Sequence, residues 1–93
     1  MGFRFEWDLR KAASNLHRHG VSFDEATTVF KDPLARIFDD EDHSEVEDRE
    51  VIVGHSMTSK LLLVSFVERE KNVVRNISAR RTTAHERDDY EKR

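Results

Sequence analysis

Three arginines cluster where the last strand-like segment of the chain meets its last helix-like segment. Arg75, Arg80 and Arg81 lie in VVRNISARRTT, directly before a helix start at Thr83. Guanidinium groups bind phosphate oxygens through parallel charged hydrogen bonds, and the backbone N–H groups at a helix N-terminus add to the attraction for an anion. We therefore expect Arg80, Arg81 and this helix end to form one anion site suited to a phosphate.

Side-chain alternation along the last strand predicts which of its groups face a substrate. Successive side chains of a regular strand point to opposite faces of the sheet. One face would carry Val74, Asn76, Ser78 and Arg80, and the other would carry Val73, Arg75, Ile77 and Ala79. Because the first face is polar for half its length, we place it away from the N-terminal helices and open to substrate. Alternation puts Arg75 on the helix-covered face, unless a bulge or a partner carboxylate changes its position.

The composition is that of a small globular chain whose charge is unevenly distributed. Of its 93 residues, 38% are charged and 37% are hydrophobic, and the hydrophobic residues recur periodically, as in folded proteins. Residues 39–50 contain eight acids and one arginine, whereas residues 69–93 contain eight lysines and arginines against five acids. This segregation predicts separate anionic and cationic surfaces.

Several classes of protein do not fit the sequence. There is no cysteine, so neither a disulfide framework nor a thiolate metal site is available. The N-terminal segment MGFRFEWDLRK lacks the apolar region of a signal peptide, and no apolar run approaches bilayer length. We expect one domain over residues 1–93, in the cytoplasm, without a membrane contact or a cofactor.

The N-terminal third predicts a short strand followed by two helices. After the alternating segment GFRFEW, Asp8 caps a helix that Gly20 ends, and Ser22 and Glu25 form a capping box for a second helix that Pro33 stops. An apolar stripe predicts the buried face of the first helix and consists of Leu9, Ala12, Ala13 and Leu16.

The rest of the chain predicts strands and one more helix. LARIF reads as a short strand, and three longer ones follow, at about 49–56, 60–69 and 72–80, joined by short hairpin connections. Thr83 and Glu86 form a capping box for a last helix with few apolar residues. The prediction is an α+β domain, in which two N-terminal helices pack on an antiparallel sheet of four to five strands, plus a C-terminal helix.

The order of several short motifs resembles the BrnT family of toxins. These motifs are F-E-W-D, N-x-x-x-H-G-V-S-F-D-E-A (Asn15 to Ala26), V-F-x-D-P (Val29 to Pro33), D-x-x-D-H-S-x-x-E-x-R (Asp39 to Arg49), the single Gly54, and R-x-I-S-A-R…E-R…Y-E (Arg75 to Glu91). The chain departs from the family at Asn76, where an aliphatic residue is usual, and in the less basic segment Thr82–His85.

The resemblance implies a RelE-like fold and a bacterial ribonuclease toxin that cleaves RNA without a metal and inhibits translation. It also implies neutralisation by a BrnA-like antitoxin, with DNA bound only indirectly through the antitoxin. We expect a monomer alone and a hetero-oligomer with the antitoxin.

Metal-free RNA cleavage needs a base for the 2′-hydroxyl, an acid for the leaving 5′-oxygen and a cation for the charge that develops on phosphate. Arg80 is our candidate for the cation. We favour His43 and Glu47 as acid and base, with His85, Glu86 and Tyr90 as second candidates. Arg75, Arg81, His85 and Tyr90 are the candidates for RNA binding, and Tyr90 has the context for stacking on a base.

Two simpler interpretations remain open. The arginines can instead pair with the eight acids between Asp39 and Glu50, and the chain can be an inactive partner in a repressor complex of antitoxin and DNA. The acidic segment itself lacks the glycine and the spacing of a calcium loop.

Overall fold

The part of the chain that the structure describes folds into a five-stranded sheet with three helices. A computed structural model describes residues 2–40 and 48–92. The elements in chain order are β1 (Arg4–Glu6), α1 (Leu9–His19), α2 (Phe23–Thr28) with a 3₁₀ turn (Val29–Lys31), β2 (Arg36–Asp39), β3 (Arg49–His55), β4 (Leu61–Glu70), β5 (Val73–Arg81) and α3 (Ala84–Glu91). The α+β prediction is confirmed.

The sheet is mixed, with the strand order β1-β5-β4-β3-β2. The pairs β2–β3, β3–β4 and β4–β5 are antiparallel. The pair β1–β5 is parallel, with Arg4 opposite Val73. The expectation of an antiparallel sheet is therefore wrong for β1. Short connections impose antiparallel pairing on β3, β4 and β5, whereas both helices and three strands separate β1 from β5, so no hairpin fixes its direction.

The caps of α1 and α2 follow the sequence signals. Asp8 accepts hydrogen bonds from the N–H groups of Arg10 and Lys11, and Gly20 ends α1 with a φ of 68° while its N–H bonds to the carbonyl of Leu16. Glycine adopts this left-handed conformation without steric cost. Ser22 caps α2 through the N–H of Glu25. The second half of the predicted capping box is not formed, because the carboxylate of Glu25 accepts the hydroxyls of Ser56 and Thr58 instead.

The buried face of α1 differs from the predicted apolar stripe. Leu9 and Leu16 are 81% and 52% exposed, and Asn15 is the buried residue of the helix. The amide nitrogen of Asn15 donates to the carbonyls of Val21 (2.9 Å) and Ala79 (2.8 Å), and its oxygen accepts from the N–H of Ala79 (2.9 Å). Since β1 pairs only with residues 73–75 of β5, this side chain takes the place of a neighbouring strand at Ala79.

One face of the sheet carries the hydrophobic core. The buried core residues are Val21, Phe23, Ala26 and Val29 from the helical region and Ile52, Leu62, Val64, Phe66, Val74 and Ala79 from the sheet. We call this sheet surface the helix face. The backbone of β3 at Gly54 lies very close to Val29 and Ala35. A Cβ added at Gly54 would lie 2.8 Å from the Cβ of Ala35 and 3.1 Å from Cγ1 of Val29, so only glycine fits there without a shift.

A bulge in β5 changes which residues share a face. Phe66 pairs with Asn76, but Ser65 pairs with Ser78, so Ile77 is an extra residue in β5. Val74, Asn76 and Ala79 consequently lie opposite Glu68, Phe66 and Val64, on the helix face. Arg75 and Arg80 lie opposite Val67 and Leu63, on the other face. The prediction that Val74 and Asn76 share an open face with Arg80 is wrong, and so is that of a helix-covered Arg75.

Asn76 is a buried amide without a hydrogen-bond partner among the described residues. It is 1% exposed, and neither its amide oxygen nor its amide nitrogen has a partner. Burying an unpaired amide costs roughly 1–3 kcal/mol. Replacing Asn76 with leucine, which is close in size, removes that cost, and we expect the free energy of unfolding to rise by about 1–3 kcal/mol in urea titration. An unchanged or lower value would show that the amide is satisfied in solution.

Candidate functional site

The last helix covers the sheet face opposite α1 and α2, which we call the second face. A cavity of about 220 Å³ lies between them, lined by Phe38, Val51, Val53 and Leu63 of the sheet and by Glu86, Asp89 and Tyr90 of α3. No residue of α3 is buried. The helix is therefore held by a few polar contacts, because it has little apolar surface to bury.

Arg80 and Glu86 fasten the first turn of α3 to β5. The two guanidinium nitrogens Nη1 and Nη2 donate to Oε1 and Oε2 of Glu86, each at 2.8 Å. The same carboxylate accepts the N–H of Thr83, whose hydroxyl in turn accepts the N–H of Glu86, so the predicted capping box is formed. The hydrogen bonds from Arg80 lower the pKa of Glu86 to about 2, against the opposing effect of burial.

This pair predicts a pH dependence of stability. The folded pKa of Glu86 lies below its ordinary value of 4.5, so its stabilising contribution is complete above that value and is lost as the pH falls toward 2. We expect wild type to be more stable than Glu86→Gln at pH 6, with the difference shrinking steadily toward pH 2. Urea titrations of both proteins across this range measure it, and a difference independent of pH would contradict the ion pair.

Tyr90 anchors the other end of α3. Its hydroxyl donates to the carbonyl of Leu34 (3.2 Å), and its ring meets His55 edge-on at a centroid distance of 6.0 Å. Burial and the charge of Asp32 raise the pKa of Tyr90, while Arg36 opposes the shift. Asp32 in turn accepts the N–H of His55 (2.7 Å). Tyr90 is thus held against the sheet, and stacking on an RNA base requires it to leave these contacts.

Arg75 and Arg81 do not join Arg80 in one site. On the second face, Arg75 pairs with Glu6 of β1, with 3.1 Å between Nη1 and Oε2. Arg81 lies opposite the core residue Leu62 and so belongs to the helix face. A hydrogen bond from Thr58 lowers the pKa of Glu25, and the charge of Arg81 contributes to the shift, which places Arg81 toward α2. The expected common anion site of Arg80, Arg81 and the start of α3 is therefore wrong.

The other predicted residues have separate positions. His85 is exposed on α3 and lies 3.4 Å from Asp89. His43 and Glu47 fall outside the described residues, so their assignment as acid and base stays a prediction. Arg75 and Arg80 are paired with Glu6 and Glu86. Because residues 41–47 fall outside the described residues, the interpretation that the arginines pair with the acids between Asp39 and Glu50 stays a prediction.

Two residues of this region did not stand out in the sequence. Arg36 lies opposite Val53 on the second face and is close enough to influence Tyr90. His55 ends β3, with its Nδ1 3.7 Å from Asp32. Alternation within LARIF puts Arg36 on the same face as Phe38 and was a usable signal, whereas nothing in the sequence brings His55 to Tyr90.

The site thus combines an apolar floor, a guanidinium–carboxylate pair, a phenol and an imidazole. Within residues 2–40 and 48–92, no group of three or more His, Asp or Glu side chains is arranged to hold a metal ion. None of the described helices has the length and apolar character needed to cross a membrane. An anionic ligand at Arg80 must compete with Glu86, so the chemistry available here is anion binding coupled to the release of a carboxylate.

Comparisons with known proteins identify one family and one solved structure with a similar fold. Residues 7–86 match the family model described as the ribonuclease toxin, BrnT, of type II toxin-antitoxin systems. The fold is similar to the 1.1 Å crystal structure of the Brucella abortus ribonuclease toxin BrnT, with a TM-score of 0.68 and 20% identity over 87% of this chain and 97% of that one. A search of curated proteins found no match.

Proposed function

Because the chain belongs to the BrnT family of ribonuclease toxins of type II toxin-antitoxin systems, we propose that it is an endoribonuclease that cleaves RNA without a metal ion. In this proposal it has a RelE-like fold, acts as a single toxin domain in the bacterial cytoplasm and inhibits translation. An antitoxin partner follows from the family, and we propose that it is BrnA-like and carries the only contact of the complex with DNA.

The pairing of Arg80 with Glu86 is the observation that supports a catalytic role for this site. A phosphodiester offers the guanidinium the same two-oxygen geometry as the carboxylate does. When phosphate takes the place of Glu86 on Arg80, the carboxylate loses the hydrogen bonds that lower its pKa. It then becomes a stronger base, close to the reacting group, at the moment when substrate binds.

The proposed reaction uses the substrate's own nucleophile. Glu86 takes the proton of the 2′-hydroxyl, the 2′-oxygen attacks the adjacent phosphorus, and the bond from phosphorus to the 5′-oxygen breaks. A 2′,3′-cyclic phosphate and a 5′-hydroxyl form once an acid protonates the leaving oxygen, a role for which His43, Glu47 and His85 are candidates. Arg80 stabilises the charge on the phosphorane oxygens.

The test is cleavage of a synthetic single-stranded RNA by the purified chain in EDTA, with analysis of the product ends. We expect cyclic phosphate and 5′-hydroxyl ends, growth arrest when the chain is expressed alone, and relief on co-expression of the antitoxin encoded beside it. Cleavage only with added divalent metal would refute the mechanism.

A second candidate function is that of an inactive partner in the repressor complex. It is favoured by the fact that Arg75 and Arg80 are both already in ion pairs. No RNA cleavage and normal growth, together with stable binding of the antitoxin, would select this function.

A further inference from the structure

An apolar groove on the helix face lies outside the region that α1 and α2 cover. It has a volume of about 240 Å³, and its apolar lining includes Phe3, Phe30, Ile37, Ile52, Phe66 and Val74. Phe30 packs edge-on against Phe66 with a centroid distance of 5.1 Å, forming the floor. Phe3 and Ile37 nevertheless remain 46% and 55% exposed. Exposed apolar side chains around a groove are typical of a protein-binding surface.

The rim of this groove carries negative charge, because Glu50 and Glu68 line it. Asp39 lies directly opposite Glu50 across β2 and β3, and Glu68 lies on the same face of β4. In the part of the chain that the structure describes, no lysine or arginine forms an ion pair with Glu50 or Glu68. Burial, followed by the charges of Asp39, Glu68 and Asp48, raises the pKa of Glu50. Like charges directly opposite each other destabilise a sheet, so a cationic partner would relieve a cost already present in the free chain.

We infer that this groove, bounded by Phe3, Ile37, Glu50 and Glu68, is a docking surface for the antitoxin and receives an aliphatic segment of it flanked by lysine or arginine. The inference rests on the proposed function, since it gives the family's antitoxin a place on this chain. Charge complementarity sets the chemistry of the segment, because the apolar floor selects aliphatic side chains and the acidic rim selects cations. The groove lies on the helix face, whereas Arg80 lies on the second face. An antitoxin segment in the groove therefore does not itself block RNA from Arg80, and another part of the complex must do so.

A second copy of the chain is the alternative occupant. The exposed Leu9 and Leu16 of α1, with Arg10 and Arg18 on the same helix, have the chemistry that the groove requires. A contact between α1 of one copy and the groove of the next is head-to-tail, however, and such contacts propagate into open filaments unless they close into a ring. An antitoxin segment bound in the groove covers the same surface without forming a filament.

The experiment measures binding of the purified antitoxin encoded beside the toxin gene, by calorimetry, to wild type and to the variant Glu50→Lys/Glu68→Lys. We expect affinity to fall at least tenfold. The matched control is Asp24→Lys/Glu91→Lys, which changes net charge equally at exposed acids elsewhere and should bind within twofold of wild type. Ile37→Asp tests the apolar part separately and should also bind at least tenfold more weakly. Thermal unfolding verifies that each variant folds.

The outcomes separate this inference from the proposed function. If Glu50→Lys/Glu68→Lys binds the antitoxin as wild type does, or if wild type fails to bind it, the docking inference is overturned, whatever the RNA assay shows. If the variant cleaves RNA as wild type does but escapes neutralisation, both hold. If wild type cleaves no RNA while the variant still loses the antitoxin, the docking surface stands and the ribonuclease function fails. If the wild-type chain self-associates and Ile37→Asp makes it monomeric, the groove binds a second copy of the chain and the inference is overturned.

Discussion

Arg80→Ala is expected to slow RNA cleavage by about 10²- to 10³-fold, the usual cost of removing one group that stabilises charge in a transition state. In wild type the guanidinium is held by two 2.8 Å hydrogen bonds in an orientation suited to two oxygens of one acceptor. Arg80→Lys keeps the charge but not the paired donors, so we expect it to recover only part of the rate. Single-turnover cleavage of a labelled RNA in EDTA measures all three proteins.

Arg69→Ala is the matched control. It removes the same charge from an exposed position near the far end of β4. Its rate should stay within threefold of wild type. Equal rates for Arg80→Ala and wild type would remove Arg80 from the mechanism. A loss shared with Arg69→Ala would instead indicate general electrostatic attraction of RNA rather than a role at the reacting phosphate.

Asn15→Ala is expected to lower the free energy of unfolding by about 2–4 kcal/mol, because it removes three buried hydrogen bonds and leaves their backbone partners unpaired. The partners are the carbonyl of Val21 and both backbone groups of Ala79. In a chain of this size the change corresponds to a melting temperature lower by roughly 10–20 °C. Urea and thermal unfolding followed by circular dichroism measure it.

Ser14→Ala, at the exposed neighbouring position, is the control for a change in helix propensity. It should leave stability within about 0.5 kcal/mol of wild type. An equally small effect of Asn15→Ala would mean that water replaces the amide at the edge of β5, and that α1 is held to the sheet mainly by its apolar contacts.

Local signals in the sequence predicted the elements well. Asp8, Gly20, Ser22 and Thr83 all occupy the capping positions that their types and spacing indicated. Caps and hairpin connections depend on residues within a few positions of each other, so they can be recognised without the rest of the fold. The strand expected at about 60–69 is likewise present as β4, in the middle of the sheet.

Long-range relations were harder to predict. The apolar stripe of α1 suggested a buried face, yet Leu9 and Leu16 are exposed. The helix is oriented instead by the hydrogen bonds of Asn15 to Ala79, a residue 64 positions away. Hydrophobic periodicity identifies an amphipathic helix but not what its apolar side meets. The parallel pairing of β1 with β5 is also long-range, and the alternation of side chains within β1 does not indicate its partner or its direction.

The site was predicted in part for the same reason. The importance of the junction between β5 and α3 was visible from its arginines and its capping box, and Arg80 does contact Glu86 there. The partner of Arg75 was not visible, because Glu6 lies 69 positions away. The position of Arg75 on the same face as Arg80 was not visible either, because it depends on a bulge that alternation cannot detect.

The extra residue at Ile77 has a consequence for how relatives of this chain are compared. Arg75 and Arg80 are five positions apart, an odd spacing that would send them to opposite sides of an uninterrupted strand. A relative with an uninterrupted strand needs an even spacing, four or six, to keep its two cations together. An alignment that matches arginine to arginine without regard to this insertion would pair a surface cation with a position that belongs in the core.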